Sequence, residues 1–214
     1  MKTAMIILLS ILLGYAPFTF ADDNKYAEAM AKNIQTVYAA QSIADLQSAV
    51  NTLDRIGSSE KTKWEPYYYA AFGYIRMATR EQDAAKKDAY LDQATAIASK
   101  AKALSANESE IICLEGFIHM IRVTVDPASR GQQYSGLAMQ AFGKASALNP
   151  ENPRALALQA QMQYGTAKFL GSSTTEACAV LDAALEKFDS YKSKNPLSPQ
   201  WGREMALKLK KDCK

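Results

Sequence analysis

The sequence predicts an all-α chain, a right-handed α-solenoid of about four helical hairpins closed by a C-terminal capping helix. Three observations predict it. The first is a set of offsets. Ala138, Phe142, Ala145 and Pro150 stand at 0, 4, 7 and 12; the same offsets return at Ala184, Phe188, Tyr191 and Pro196 and, more weakly, at Ala94, Ala98, Ala101 and Ala106. Residues at i, i+4 and i+7 share one helix face, so alanines there let a neighbouring helix approach closely while the ring between them fills the remaining gap. Proline follows because it cannot continue a helix. The second observation is a period: Gly73, Gly116 and Ala160 are 43 and 44 residues apart, and Ala49, Ala94, Ala138 and Ala184 are 45, 44 and 46 apart. Two in-phase ladders mark one repeated unit, some 10 residues longer than the common helical-hairpin unit of about 34. The third is composition, with Ala, Leu and Met plentiful and just 10 glycines.

The elements follow in order. Residues 1–21, MKTAMIILLSILLGYAPFTFA, read as a signal peptide: Lys2, a short apolar run from Ala4 to Leu13, and small residues at the −3 and −1 positions of a cleavage after Ala21. The run is shorter than the roughly 20 residues of a membrane span, so the mature chain, 22–213 in its repeat domain, is expected in the periplasm or secreted, with no stable membrane insertion. Asp22 to Ala40 has helical spacing at Tyr26, Met30, Ile34, Val37 and Tyr38. Ser42, with Asp45 three residues on, caps a second helix that Gly57-Ser58-Ser59 is expected to break. Trp64 to Met77 and Glu81 to Leu104 form the next pair, and Ser109 to Val123 follows. Asp126 to Gly131 reads as a loop, Asn152-Pro153 as an N-cap and first helical residue, Ser173 to Glu176 as a capping box, and Ser198-Pro199 as the start of the last helix. The extra length of each unit is placed between its two helices, at 79–87, 123–134 and 169–175.

Composition excludes several functions. The formal charge of +3 falls to +2 without Lys2 (3 − 1), which gives no basis for nucleic-acid or anionic-membrane binding. There is one histidine, His119, and no H-E-x-x-H, C-x-x-C or glycine-rich phosphate loop. No catalytic residue, metal site or cofactor is read from the chain.

On the stretches DPASRGQQYS, NPENPRALALQAQMQYGTAKFLG and TEACAVLDAAL, the chain resembles tetratricopeptide-repeat (TPR) proteins, and more narrowly exported repeat proteins of Bacteroidetes-type bacteria. The consensus Trp, Leu and Tyr of each unit's first helix are mostly missing. The resemblance implies a non-catalytic scaffold for a protein or peptide partner. Counting from the small position of each first helix puts Tyr67, Tyr74, Met77, Phe117, Met120, Gln161 and Tyr164 on the concave groove, an aromatic and Met-rich lining suited to an apolar segment or, equally, to core. Arg130 either meets an acidic partner at the rim or ties down its own loop. A second reading is a small-ligand-binding or enzymatic domain with its site in the inter-helix loops. In an exported chain, Cys178 and Cys213 are expected to pair, because they lie 18 and 17 residues from a turn near Pro196, and Cys113 to stay free amid Ile111, Ile112 and Leu114.

Overall fold

A computed structural model describes residues 20–193 and 195–213, with side chains from Asn24 onward. The signal peptide expected over 1–21 lies outside these residues, apart from the backbone of its last two. The described residues form nine helices and no strand: α1 (Phe20–Ala39), α2 (Ile43–Glu60), α3 (Glu65–Arg80), α4 (Ala84–Leu104), α5 (Ser109–Val123), α6 (Pro127–Leu148), α7 (Pro153–Leu170), α8 (Thr175–Ser190) and α9 (Arg203–Lys210). Consecutive helices pack as four hairpins. Each odd-numbered helix also touches the next odd-numbered one, so the odd helices make the inner row of a helical solenoid and the even ones its outer row.

The repeat offsets work by close approach. Phe142 is fully buried, and a Cβ added to Gly116 would sit 2.5 Å from its ring. Gly73 meets Val50 in the same way, at 2.5 Å. Leu181 and Ala184 anchor a smaller second cluster, against which Phe188 packs.

Four local expectations are corrected. Gly57-Ser58-Ser59 does not break α2, which runs on to Glu60 and ends at Lys61 in the left-handed region (φ 48°); Gly57 is there because a Cβ would stand 2.7 Å from the Tyr67 ring. Asp126 to Gly131 is the start of α6 rather than a loop: the Asp126 carboxylate accepts from Ser129 N at 3.2 Å and Pro127 opens the helix, the same device as Asn152-Pro153. The extra length of the first units therefore lies in long outer helices, 21 residues in α4 and 22 in α6. No capping box forms at Ser173 to Glu176, because Thr174 is the N-cap and its side chain makes no cap bond. Finally, α9 begins at Arg203 instead of Ser198, since the residues before it are used elsewhere.

Candidate functional site

The described residues between α8 and α9, 191–193 and 195–202, form a strap that crosses the inner row as far as α1 and α3 and returns to start α9. Its anchors are specific. Tyr69 Oη donates to Leu197 O at 2.7 Å, Gln200 N donates to Tyr38 Oη at 3.1 Å, and Asn195 Nδ2 donates to Glu65 Oε1 at 2.9 Å. Trp201 lies stacked between Phe72 and Phe117, with centroids 4.8 and 5.4 Å away. Its indole N–H donates to Tyr68 Oη at 2.9 Å.

Beneath Trp201 sits a buried ion pair. Arg154, 2% exposed, donates through Nε and Nη2 to the Glu110 carboxylate at 2.7–3.0 Å, and Tyr68 Oη donates to the same carboxylate at 3.4 Å. Burial, then the Glu110 charge, pushes the Tyr68 phenol well above its ordinary range, so it stays a neutral donor. Every partner in this cluster is another part of the chain.

The expected groove residues divide between core and surface. Tyr67, Met77, Phe117 and Met120 are buried, Phe117 under Trp201, and they belong to the main core. Tyr74, Gln161 and Tyr164 remain partly exposed, with Tyr164 Oη donating to Asp212 O at 3.3 Å. Arg130 makes a two-pronged contact with Asp88 of α4, at 2.6 and 2.8 Å, and its guanidinium holds the Asp88 carboxyl below the usual range. That contact ties α6 to α4. Cys178 and Cys213 are joined (S–S 1.99 Å, Cα–Cα 5.7 Å) and Cys113 is a buried thiol, its pKa raised well above the ordinary value by burial. His119 stacks on Tyr134 at 6.0 Å. Burial, then Arg122, keeps its pKa below the usual histidine value.

An open site lies elsewhere. Between the middle of α6, the second half of α7 and the start of α8 is a cleft of about 390 Å³. Ser135, Gly136 and Met139 of α6 form one wall, and Gln163, Thr166 and Ala167 of α7 the other. Ser172 and Ser173 of the turn, with Glu176 and Ala177 of α8, form the end wall. Two details make it more than a crevice. A Cβ at Gly136 would meet nothing within 4 Å, so the helix presents bare backbone. Gln163 Oε1 is buried without a hydrogen-bond partner. No His, Cys, Lys or Arg is among the lining residues, and no cluster of His, Cys, Asp and Glu able to hold a metal occurs among the described residues. Sequence reasoning gave these ten residues no binding role, because nine are small or neutral and the tenth, Glu176, read with Ser173 as a helix cap. The available signal was one helical glycine, Gly136, that neither ends a helix nor faces a neighbour.

No protein-family model and no curated protein matches the chain. Two solved structures do. The HusA haemophore from Porphyromonas gingivalis is 28% identical, with a TM-score of 0.77 over 88% of this chain and 92% of that one. A thermophilic TPR protein of Thermus thermophilus is 16% identical, with a TM-score of 0.50 over 88% and 94%. The second likeness is one of fold alone. With the nine helices and their two rows, it places this chain among TPR-like helical solenoids.

Proposed function

We propose that this chain is a non-catalytic carrier of a flat, largely apolar ligand, with haem or another tetrapyrrole as the first candidate, bound in the α6–α7–α8 cleft. The observation that carries the proposal is the likeness to a haemophore along nearly the whole of both chains. The cleft supports it, because 390 Å³ falls in the usual range of small-ligand sites, roughly 300–1,000 Å³. Bare backbone at Gly136 suits the face of a ring. Met139, Ala167 and Ala177 supply apolar contact, and the hydroxyls of Ser135, Thr166, Ser172 and Ser173 can meet a polar edge. The Met139 thioether is the one common haem-iron ligand type in this lining, so the protein would hold its cargo by the ring more than by the metal. The signal peptide read at 1–21 would place such a carrier outside the cytoplasm, where the Cys178–Cys213 bond is at home.

Absorbance titration with haemin and fluorescence titration with metal-free protoporphyrin test this. The expected result is one saturable site for each, with affinities within about tenfold, or about 1.4 kcal/mol. No saturable change with either, up to tens of micromolar, would dispose of the carrier reading.

The scaffold reading keeps a narrower surface, made of Tyr74, Gln161 and Tyr164, the expected groove residues that stay partly exposed. A protein partner binding deeper in that row would have to displace the strap. Capture of one partner by wild type, lost in Tyr74→Ser with Tyr164→Ser at unchanged helical content, would favour it.

A further inference from the structure

The two most exposed large apolar side chains described, Phe169 at 70% and Leu170 at 69%, are adjacent in the last turn of α7. Their position relative to the cleft follows from helix geometry. Gln163, Ala167 and Leu170 stand at i, i+4 and i+7, so they share one face, and the first two line the cleft. Leu170 therefore continues the cleft-facing stripe one turn beyond the lining. Phe169 stands three residues after Thr166, another lining residue, and the chain re-enters the wall at Ser172. The helix ends at Gly171, in the left-handed region (φ 67°), which turns the chain sharply and leaves Leu170 at the end of the cleft-facing stripe with Phe169 beside it, about 100° further round the helix.

Resting on the carrier reading above, we infer that Phe169 and Leu170 are the apolar lip of the binding site, which closes over the part of a broad planar cargo that the cleft does not enclose. The lining itself is dominated by Ser, Thr, Gly and Ala, which give little apolar area of their own. A ligand confined to the cleft gains little from the hydrophobic effect; one wide enough to reach the lip covers two side chains that water otherwise surrounds. The lip thus selects for size as well as for apolarity. Tetrapyrroles reach it and single small aromatic rings do not. Charge acts in both directions: Lys168, the residue before the lip, is exposed and can meet a carboxylate at the cargo's edge, whereas the Glu176 carboxylate of the end wall repels one.

The experiment compares protoporphyrin and a small probe, naphthalene sulfonate, on wild type, Leu170→Ser, Phe169→Ser and the double variant, with circular dichroism on each. Both residues are exposed, so the variants should fold as wild type does. The expected result is a loss of protoporphyrin affinity of about tenfold for each single change and more for the double, with naphthalene sulfonate affinity altered less than about threefold. Equal protoporphyrin affinity in wild type and double variant overturns the lip and leaves the carrier reading standing. Absence of protoporphyrin binding to wild type overturns both. Self-association of the free protein that the double variant abolishes, with cargo affinity unchanged, assigns the pair to contact between copies and likewise overturns it.

Discussion

The part of the inner row around Trp201 and the cleft beside Gly136 use opposite chemistry for opposite ends. The inner row carries most of the large rings, and they fill one another's space. Tyr68, Tyr69, Phe72, Phe117 and Trp201 are all buried, with the Arg154–Glu110 pair among them. The cleft is walled mostly by small side chains and bare backbone, and space is left over. Large apolar residues that are buried mark what the fold needs, whereas small residues with nothing against them mark where something else can sit. That contrast can be broken or sharpened by measurement.

The largest effect should come from the inner row. Arg154→Met alone, or Glu110→Gln alone, leaves one buried partner of an otherwise complete ion pair. Either should cost about 3–5 kcal/mol in urea unfolding. Replacing both with apolar residues of similar size should restore much of the loss, because the desolvation penalty goes with the charges. A cost under about 1 kcal/mol for both single changes would mean that the strap does not seal this side.

Next comes the disulfide. Cys178 and Cys213 are separated by 35 positions, and in the chain-entropy view closing such a loop contributes about 3–4 kcal/mol. The double Cys→Ser variant should lose that amount, with proteolysis beginning in the strap and α9. Cleavage that begins instead at the α7–α8 turn would place the weak point on the cleft side.

The two regions also differ in how far the sequence discloses them. The repeat offsets and the Gly73–Gly116–Ala160 ladder carry the fold, because each is a packing requirement written into one residue type. Phe142 needs a missing Cβ at Gly116, and no other residue can stand in. The strap was not legible, because its anchors join residues far apart in the chain. Tyr69 to Leu197 is 128 positions and Tyr38 to Gln200 is 162, and no local pattern encodes them. Without the strap, whose Trp201 covers it, Phe117 reads equally well as groove or as core. The cleft was hidden for a different reason, since Ser, Gly and Thr in a helix look like ordinary surface until the neighbouring wall is known.

The third prediction turns on a glycine of the inner side. Gly116→Ala places a methyl 2.5 Å from Phe142 Cε1 and 3.1 Å from the Ala141 side chain. Phe142 is fully buried and has nowhere to withdraw, so the change should cost about 1–3 kcal/mol despite the better helix propensity of alanine. The compensating variant Gly116→Ala with Phe142→Leu should recover part of it.

The smallest effect is the same substitution at the cleft, with the sign reversed. Gly136→Ala adds a methyl that meets nothing within 4 Å, in the interior of α6, where glycine leaves the unfolded chain its greatest freedom. Alanine there should stabilise the protein by about 0.5–1 kcal/mol. Gly136→Leu should keep most of that gain, because the added side chain enters open space, yet it occupies the volume proposed for the cargo. The expected pattern is a midpoint of unfolding at or above that of wild type together with a loss of protoporphyrin binding. Such a pairing separates site from scaffold in a way that no inner-row variant can, since there any change in binding would be confounded with loss of fold. Retained binding in a stable Gly136→Leu protein would show that the cleft is not where the ligand lies. Loss of stability in Gly136→Ala would show that α6 is not bare at this point, and the contrast between the two regions would have to be redrawn.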